Sequence, residues 1–268
     1  MASTCLSPFE NPARHAAVSD IIRRRSTNLT DVRTAVLHDL DLSSVRTVLD
    51  LGCGFGFMTE AVARRVAPRA EFVGVDACAA NEEPYLARLA ATGRSGRFVC
   101  RRIQAELDWP ARRFDLVLAS YALYFFPAVL PEMARVLAPG GVLLAVTHRE
   151  SGCRDLASIL GSSVCGARLL ALVRRFCAEN GPRLLTPWFG TVERVDYENS
   201  LVFEAADQED LLAYLEFKLP LLTSEAAVAY ELPAALDAAA RTLSLQGRIT
   251  LDKSDAVFRC RQPRCRGS

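Results

Sequence analysis

The segment from residue 48 to residue 56 constrains the fold of this chain more than any other. It is an apolar run, Val-Leu-Asp-Leu, followed by glycines at positions 52, 54 and 56. A second apolar run begins at Phe72 and ends on the carboxylate of Asp76. This order predicts a strand, a glycine turn, a helix and a second strand, the arrangement that holds an adenosine-bearing cofactor.

Glycine spacing and charge indicate which cofactor the turn would hold. Gly-x-Gly-x-Gly is tighter than the Gly-x-Gly-x-x-Gly of dinucleotide binders. Asp50 would direct a negative charge toward the place where a dinucleotide carries its pyrophosphate, and it would repel that group. A cofactor with an ammonium and a sulfonium group would be attracted, so the pattern favours S-adenosylmethionine.

The patterning of the rest of the chain predicts the fold class. The chain has 268 residues, half of them hydrophobic, which is enough for one large core domain. Short, nearly unbroken apolar runs, typical of strands buried on both faces, lie at 48–51, 72–75, 98–100, 116–119 and 142–146. Segments with helical spacing separate them. The alternation predicts an α/β fold with a doubly wound, mostly parallel sheet.

Patterns outside this region are weaker. Helices are predicted at 29–40, behind Thr27-Asn28, and at 167–179 and 207–217, and strands at 192–197 and 201–203. An alanine-rich helix near 226–240 is expected to be interrupted at Pro233. Strands at 247–251 and 256–260 are predicted to form a closing hairpin.

Composition disfavours several classes of partner. A formal net charge of +1 produces no global field that would gather nucleic acid or anionic lipid, so small-molecule partners are expected. No apolar run is long enough to span a bilayer or to form a signal peptide, which predicts a cytoplasmic protein without a membrane partner. The nine cysteines form no Cys-x-x-Cys pair and the three histidines add no ligand pattern, so no metal site is predicted.

Four motifs in the expected order carry a resemblance to a known family. They are Leu-Asp-Leu-Gly-Cys-Gly-Phe-Gly at 49–56, Gly-Val-Asp at 74–76, Phe-Asp-Leu-Val-Leu-Ala-Ser at 114–120 and Ala-Arg-Val-Leu-Ala-Pro-Gly-Gly-Val at 134–142. The chain resembles the class I S-adenosylmethionine-dependent methyltransferases, and most closely their type 11 domain small-molecule group. The resemblance implies a Rossmann-like methyltransferase fold with a seven-stranded sheet, a helical lid and an antiparallel last strand.

The resemblance also implies a division of the chain. Residues 1–44 would form an N-terminal helical lid, 45–150 the S-adenosylmethionine-binding core and 151–225 a substrate-cap insertion of helices and strands. Residues 226–262 would supply the C-terminal helix and closing strands, and 263–268 a disordered tail.

The predicted cofactor site begins at the glycine turn. Glycines there let the backbone approach the cofactor, with main-chain amides facing its carboxylate. Asp50 would meet the ammonium group directly or through water, or else cap the same turn. Asp76 would accept the ribose hydroxyls. The full predicted set is Asp50, Gly52, Cys53, Gly54, Gly56, Asp76, Ala77, Gln104, Ala105 and Ser120.

The adenine end of this site departs from the family pattern. The family usually has Asp-Ala-Glu where this chain has Gln104-Ala105-Glu106. A glutamine amide oxygen can still accept from the exocyclic amine through an uncharged bond. The resemblance implies that Ala105 uses its main-chain amide and that Ser120 touches the reacting end of the cofactor. Ala77 is expected to flank the adenine, because a small residue there lets a ring slide in, or else to have a purely structural role.

Three residues near the ends of the fourth and fifth strands are candidates for catalysis. Tyr121 and Tyr124 follow the fourth strand, where an aromatic stretch can equally serve packing. His148 follows the fifth strand and is the candidate general base, although a histidine at a strand end can also be structural.

The function expected from these features is methyl transfer to a small molecule by in-line displacement, at an oxygen, nitrogen or carbon nucleophile. Ala-Ser-Tyr-Ala at 119–122 replaces the Asn-Pro-Pro-Tyr type motif of amide and nucleobase methylation, which favours a small metabolite or a product of secondary metabolism. Two alternatives stay open: a nicotinamide-dependent reductase, and a non-catalytic S-adenosylmethionine-binding regulator. A monomer or a homodimer is expected.

Overall fold

The computed structural model describes residues 7–159, 169–218 and 225–264. The chain divides into two compact units. The first comprises Met1–Leu29, Arg149–Arg174 and Glu198–Ser254. The second comprises Thr30–His148, Arg175–Tyr197 and Asp255–Ser268.

Strands and helices alternate through the first half of the chain. The strands are β1 (Thr47–Leu51), β2 (Glu71–Asp76), β3 (Gly96–Cys100), β4 (Phe114–Ser120), β5 (Leu137–His148), β6 (Phe189–Tyr197), β7 (Ser200–Glu204), β8 (Arg248–Asp252) and β9 (Asp255–Pro263). The helices are α1 (Pro12–Arg25), α2 (Val32–Leu37), α3 (Phe57–Ala63), α4 (Glu82–Ala90), α5 (Leu130–Val136), α6 (Glu150–Ile159), α7 (Gly181–Leu185), α8 (Gln208–Lys218) and α9 (Glu225–Gln246).

The second unit is built on a seven-stranded sheet in the order β3-β2-β1-β4-β5-β9-β6. Strands β1 to β5 pair in parallel, and β9 runs antiparallel to both β5 and β6. The predicted doubly wound, mostly parallel sheet with an antiparallel last strand is therefore confirmed. Its central strands are buried on both faces, which explains their unbroken apolar sequences.

The core of this unit lies against β1, β2 and β4. Val48, Phe72 and Leu116 from these strands pack with Met58 and Val62 of α3. The helix that follows the glycine turn is thereby held firmly against the sheet, which fixes the turn itself.

The first unit contains the β7–β8 pair and helices α1, α6, α8 and α9. Arg25 at the end of α1 forms ion pairs with Asp207 and Asp210 at the beginning of α8. These carboxylates also lie where a helix N-terminus favours negative charge.

The predicted closing hairpin is wrong. Strand β8 pairs with β7, whereas β9 enters the large sheet between β5 and β6. Their burial patterns give the physical reason. Residues of β8 alternate between exposed and buried, as in a two-stranded ribbon with one covered face, while the first six residues of β9 are all buried.

Several helix boundaries also differ from the predictions. Helix α2 is shorter than 29–40 and begins after Asp31, whose carboxylate accepts from the Arg33 amide at 2.8 Å. Helix α9 continues through Pro233, and helices α1 and α6 were not predicted. Of the helix expected at 167–179, residues 169–173 are helical, and 167–168 lie outside the described residues.

The lid, core, cap and tail boundaries stay predictions, and most of the predicted tail lies outside the described residues. Among the described helices, none is long and apolar enough to cross a membrane.

Candidate functional site

The glycine turn between β1 and α3 is a backbone structure that side chains would obstruct. Gly52, Gly54 and Gly56 have φ values of 73°, 51° and 84°, a region that L residues with a Cβ seldom occupy. A Cβ on Gly52 would lie 2.5 Å from the Cβ of Ala122, in the segment after β4. The Gly52 and Cys53 amides donate to the Val75 carbonyl at 2.8 and 3.1 Å, which joins the turn to β2.

Asp50 is a buried carboxylate at the beginning of this turn, with a relative exposure of 2%. Its Oδ2 accepts from the Thr59 hydroxyl at 2.5 Å, whereas its Oδ1 has no hydrogen-bond partner among the described residues. Burial raises the pKa of Asp50 to about 6, and the charge of Asp76 acts in the same direction. A buried, unpaired carboxylate oxygen beside a glycine turn fits the ammonium group of a cofactor.

Asp76 ends β2 and faces the same turn. Its Oδ2 accepts from the Gly54 amide at 2.9 Å. Its Oδ1 accepts from the Cys78 amide at 2.9 Å and from the Asn81 side chain at 3.3 Å. The carboxylate therefore anchors the glycine turn, and two of the predicted site residues lie within one hydrogen-bonding network.

Sequence reasoning missed two buried polar residues of this network. Thr59 donates to Asp50, and Asn81 donates to Asp76. Asn81 is fully buried, and its Oδ1 has no partner among the described residues. The sequence contained little indication of Thr59 and Asn81, because polar residues at the beginnings of helices most often serve as solvated caps.

The predicted adenine-binding residues lie on exposed loops at the same edge of the sheet. Ala77 follows Asp76 directly. Cys100, the last residue of β3, pairs in register with Asp76, and Gln104 and Ala105 lie on the exposed loop that follows. The structure thus brings these residues to the same edge of the sheet as the glycine turn.

The segment after β4 bears a strained backbone. Ser120 ends the strand, and its buried hydroxyl has no partner within the described part of the chain. Tyr121 has φ 54°, in the left-handed region. Its ring stacks on the imidazole of His148 at a centroid distance of 4.8 Å, and Tyr124 stacks on the same imidazole at 5.9 Å.

Asp255 completes this group, and sequence reasoning missed it. It is the first residue of β9, it pairs in register with His148 and it is 1% exposed. Its Oδ1 lies 2.9 Å from His148 Nδ1, and its Oδ2 accepts from the Tyr121 hydroxyl at 2.8 Å. We call Tyr121, Tyr124, His148 and Asp255 the histidine cluster. The sequence could have indicated Asp255 in one way: it is an acid directly before an apolar strand run, Ala-Val-Phe at 256–258.

The glycine turn and the histidine cluster lie at one edge of one sheet. Strands β1, β4 and β5 are neighbours in that order, and adjacent strands are about 4.8 Å apart, so the strand before the turn and the strand that ends at His148 are separated by about 10 Å across the sheet. In open α/β sheets, ligands bind at the carboxyl ends of the strands. The fold and this edge define a nucleoside-cofactor-binding α/β protein.

Comparison with known proteins gives the family. The profile of the methyltransferase domain family matches residues 48–141. A trans-aconitate 2-methyltransferase from Azoarcus sp. (strain BH72) is 30% identical over 206 residues, which cover 69% of this chain and 78% of that protein. A malonyl-[acyl-carrier protein] O-methyltransferase from Halorhodospira halophila is 37% identical over 114 residues, 41% of this chain and 38% of that protein.

A solved structure agrees at the level of the fold. A candidate methyltransferase from Bacillus halodurans C-125 superposes with a TM-score of 0.56 at 16% identity, covering 87% of this chain and 99% of that one. The chain belongs to the class I S-adenosylmethionine-dependent methyltransferases. It is an enzyme, and its cofactor is S-adenosylmethionine. The predicted family and cofactor are confirmed, whereas the roles of individual site residues stay predictions.

Proposed function

We propose that the carboxyl edge of the large sheet binds S-adenosylmethionine at the glycine turn and transfers its methyl group by in-line displacement. The acceptor atom is an oxygen, nitrogen or carbon nucleophile of a small molecule. The observation that supports this most is Asp50, because its buried Oδ1 has no hydrogen-bond partner among the described residues. A buried anionic oxygen favours a cationic ligand over an anionic one.

Each residue has a proposed task. Asp50 accepts from the ammonium group, and the backbone amides around Gly54 and Gly56 face the carboxylate of the methionine part. Asp76 accepts from the ribose hydroxyls, while Ala77, Gln104 and Ala105 flank the adenine. Ser120 lies at the reacting end.

S-adenosylmethionine, when bound, supplies a methyl group that the positive charge on sulfur already activates. The protein's contribution is then alignment and the exclusion of water. No catalytic triad is needed for such chemistry.

The setting is also part of the proposal. One relative is named for trans-aconitate, which supports a metabolite acceptor. We propose that the protein acts in the cytoplasm, in secondary metabolism, as a monomer or homodimer, without nucleic-acid or membrane partners.

Calorimetry with the purified protein tests the cofactor site. S-adenosylmethionine is expected to bind with measurable heat, while NADH does not. Asp76→Ala is expected to lower the affinity at least about tenfold, because the ribose loses a charged acceptor. Asp108→Ala, on the exposed loop before β4, is the matched control and keeps the wild-type affinity. Heat with NADH alone, or full affinity in Asp76→Ala, would contradict the proposal.

A further inference from the structure

The carboxylate of Asp255 has a polar partner at each of its two oxygens. Oδ1 faces His148 Nδ1 at 2.9 Å, and Oδ2 accepts from the Tyr121 hydroxyl at 2.8 Å. The side chain is almost completely buried, and the backbone ladder between β5 and β9 sets its position opposite His148. This arrangement holds the imidazole in one orientation.

The pairing also determines where the imidazole carries its proton. An ionised carboxylate can only accept, so Nδ1 must donate and the proton-accepting nitrogen is Nε2. The His148 side chain is 17% exposed, so part of the ring is accessible from outside the cluster. The same logic applies in enzymes where a buried carboxylate fixes the tautomer of a histidine base.

We propose that His148 is a general base positioned by Asp255, and that the methyl acceptor is therefore a neutral hydroxyl group rather than a carboxylate. This inference rests on the proposed function. It extends that function by naming the acceptor class and by adding Asp255 as a positioning residue.

Two neutral aromatic rings pack on the imidazole. Tyr121 and Tyr124 stack on its ring, and its Nδ1 faces the carboxylate of Asp255. Burial, together with the charge of Asp255, raises the pKa of Tyr121 well above its ordinary value, so this phenol stays protonated. A carboxylate acceptor is already ionised, so it would need a positively charged group to bind it and no base to deprotonate it.

The backbone conformation of Tyr121 is a second, independent observation that supports a positioned imidazole. A tyrosine at φ 54° is strained, and such strain persists where several contacts hold it. Here the amide donates to the Val146 carbonyl at 2.8 Å, the ring stacks on His148 and the hydroxyl reaches Asp255. The strained residue keeps the imidazole and its carboxylate in register.

The chemical step balances without any further reactant. The acceptor O–H bond breaks, its proton goes to His148 Nε2, and an oxygen electron pair forms the new bond to the methyl carbon. The carbon–sulfur bond breaks and its electron pair stays on sulfur, which leaves neutral S-adenosylhomocysteine. Asp255 stabilises the imidazolium, which later returns the proton to solvent.

The first experiment reads the tautomer directly and needs no substrate. In ¹⁵N-histidine-labelled protein, NMR is expected to show His148 protonated at Nδ1, assigned by the loss of its signals in His148→Gln. In Asp255→Asn the amide can donate to Nδ1, so the proton moves to Nε2. Asp196→Asn, on β6 opposite the neighbouring Ala256, is the matched control and keeps the Nδ1–H form. An Nε2–H form in the wild type would overturn the proposal.

The second experiment tests the acceptor class. Transfer of radiolabelled methyl is measured with phenols and aliphatic alcohols, with carboxylates including trans-aconitate, and with a nitrophenol that is largely ionised at neutral pH. Label is expected on hydroxyl compounds. With weakly acidic hydroxyl compounds, the transfer rates of Asp255→Asn and His148→Gln are expected to be about 10² to 10⁴-fold lower than that of the wild type. With the nitrophenolate, which needs no base, the rates are expected to fall by less than about tenfold.

The outcomes separate the two levels of the proposal. If S-adenosylmethionine does not bind by calorimetry, the proposed function fails. If S-adenosylmethionine binds in all variants but no hydroxyl compound receives label, whether or not carboxylates or amines do, only the hydroxyl inference fails. Equal losses with the phenols and the nitrophenolate would show that Asp255 is merely structural.

Discussion

At the level of single residues, the burial of the Asp50 carboxylate opposes the stability of the fold. Its pKa in the folded protein is about 6, above the ordinary 3.8, because burial disfavours its charged form. An acid whose folded pKa is raised makes the folded state less stable as pH rises from 3.8 to 6. The bound ammonium group would reverse this effect by supplying the missing counter-charge.

Asp50→Asn is therefore expected to stabilise the unliganded protein above pH 6 while weakening cofactor binding. The stabilisation is at most on the order of 3 kcal/mol, and the affinity falls roughly tenfold to a hundredfold. Denaturant unfolding and calorimetry at pH 5 and pH 8 measure both quantities.

The pH dependence of binding adds a second readout. Wild-type affinity is expected to fall as pH decreases below about 6, because protonation removes the charge of Asp50, and the variant lacks this decline. Asp115→Asn is the matched control. This acid accepts from the Arg46 and Thr47 amides at the opposite edge of the sheet, so the substitution affects stability and leaves affinity unchanged. A variant that binds as well as the wild type at pH 8 would remove Asp50 from the site.

At the level of secondary structure, one arginine joins a strand to the end of a helix. Arg259 in β9 is 7% exposed, and its Nη2 donates to the His38 and Val36 carbonyls at 2.7 and 3.3 Å. These carbonyls belong to the C-terminal turn of α2, which lacks intrahelical donors. A cation there also interacts favourably with the helix dipole.

Arg259→Met is expected to lower the free energy of unfolding by about 2 to 3 kcal/mol, because buried carbonyls lose their donor. Arg261→Met, two residues further along the same strand and exposed, is the matched control, with a change within about 0.5 kcal/mol. Chemical denaturation followed by circular dichroism measures both. Equal effects of the two substitutions would show that the carbonyls at the end of α2 have another hydrogen-bond donor.

At the level of the whole molecule, stability should depend on pH through a partly buried histidine of the first unit. His15 stacks on Phe217 at 5.2 Å and contacts Phe9 edge to face. Burial, and to a smaller extent the charge of Lys218, lowers its pKa from 6.5 to about 4. The folded protein therefore keeps this histidine neutral where the unfolded chain protonates it, and stability is lost as pH falls from 6.5 to 4.

His15→Phe keeps an aromatic ring in the stack and removes the ionisable group. The difference in free energy of unfolding between His15→Phe and the wild type is expected to grow in favour of the variant as pH falls, to at most on the order of 3 kcal/mol at pH 4. Between pH 7 and 8 this difference is expected to change little. Phe9→Leu removes a ring but no ionisable group, so its effect should be similar at each pH. A difference between His15→Phe and the wild type that does not vary with pH would contradict the assignment.

Local sequence was sufficient to predict the glycine turn and the two acids at the strand ends beside it. The glycines at 52, 54 and 56 adopt φ values that favour glycine, and the acids at 50 and 76 lie where strand ends place them. A turn between consecutive elements is a short-range feature, so its residue types and spacing carry the information. The parallel sheet followed for the same reason, since unbroken apolar runs separated by helices allow few other arrangements.

The partner of each late strand was decided only by the tertiary structure. Strands β8 and β9 are adjacent in sequence and resemble a hairpin, yet each pairs elsewhere because β9 is buried on both faces and β8 on one. That long-range pairing brings Asp255 against His148, 107 residues away in the chain. The sequence by itself thus determined the glycine turn and the family, whereas the sheet order created the histidine cluster, because contacts between distant segments depend on packing that no local pattern records.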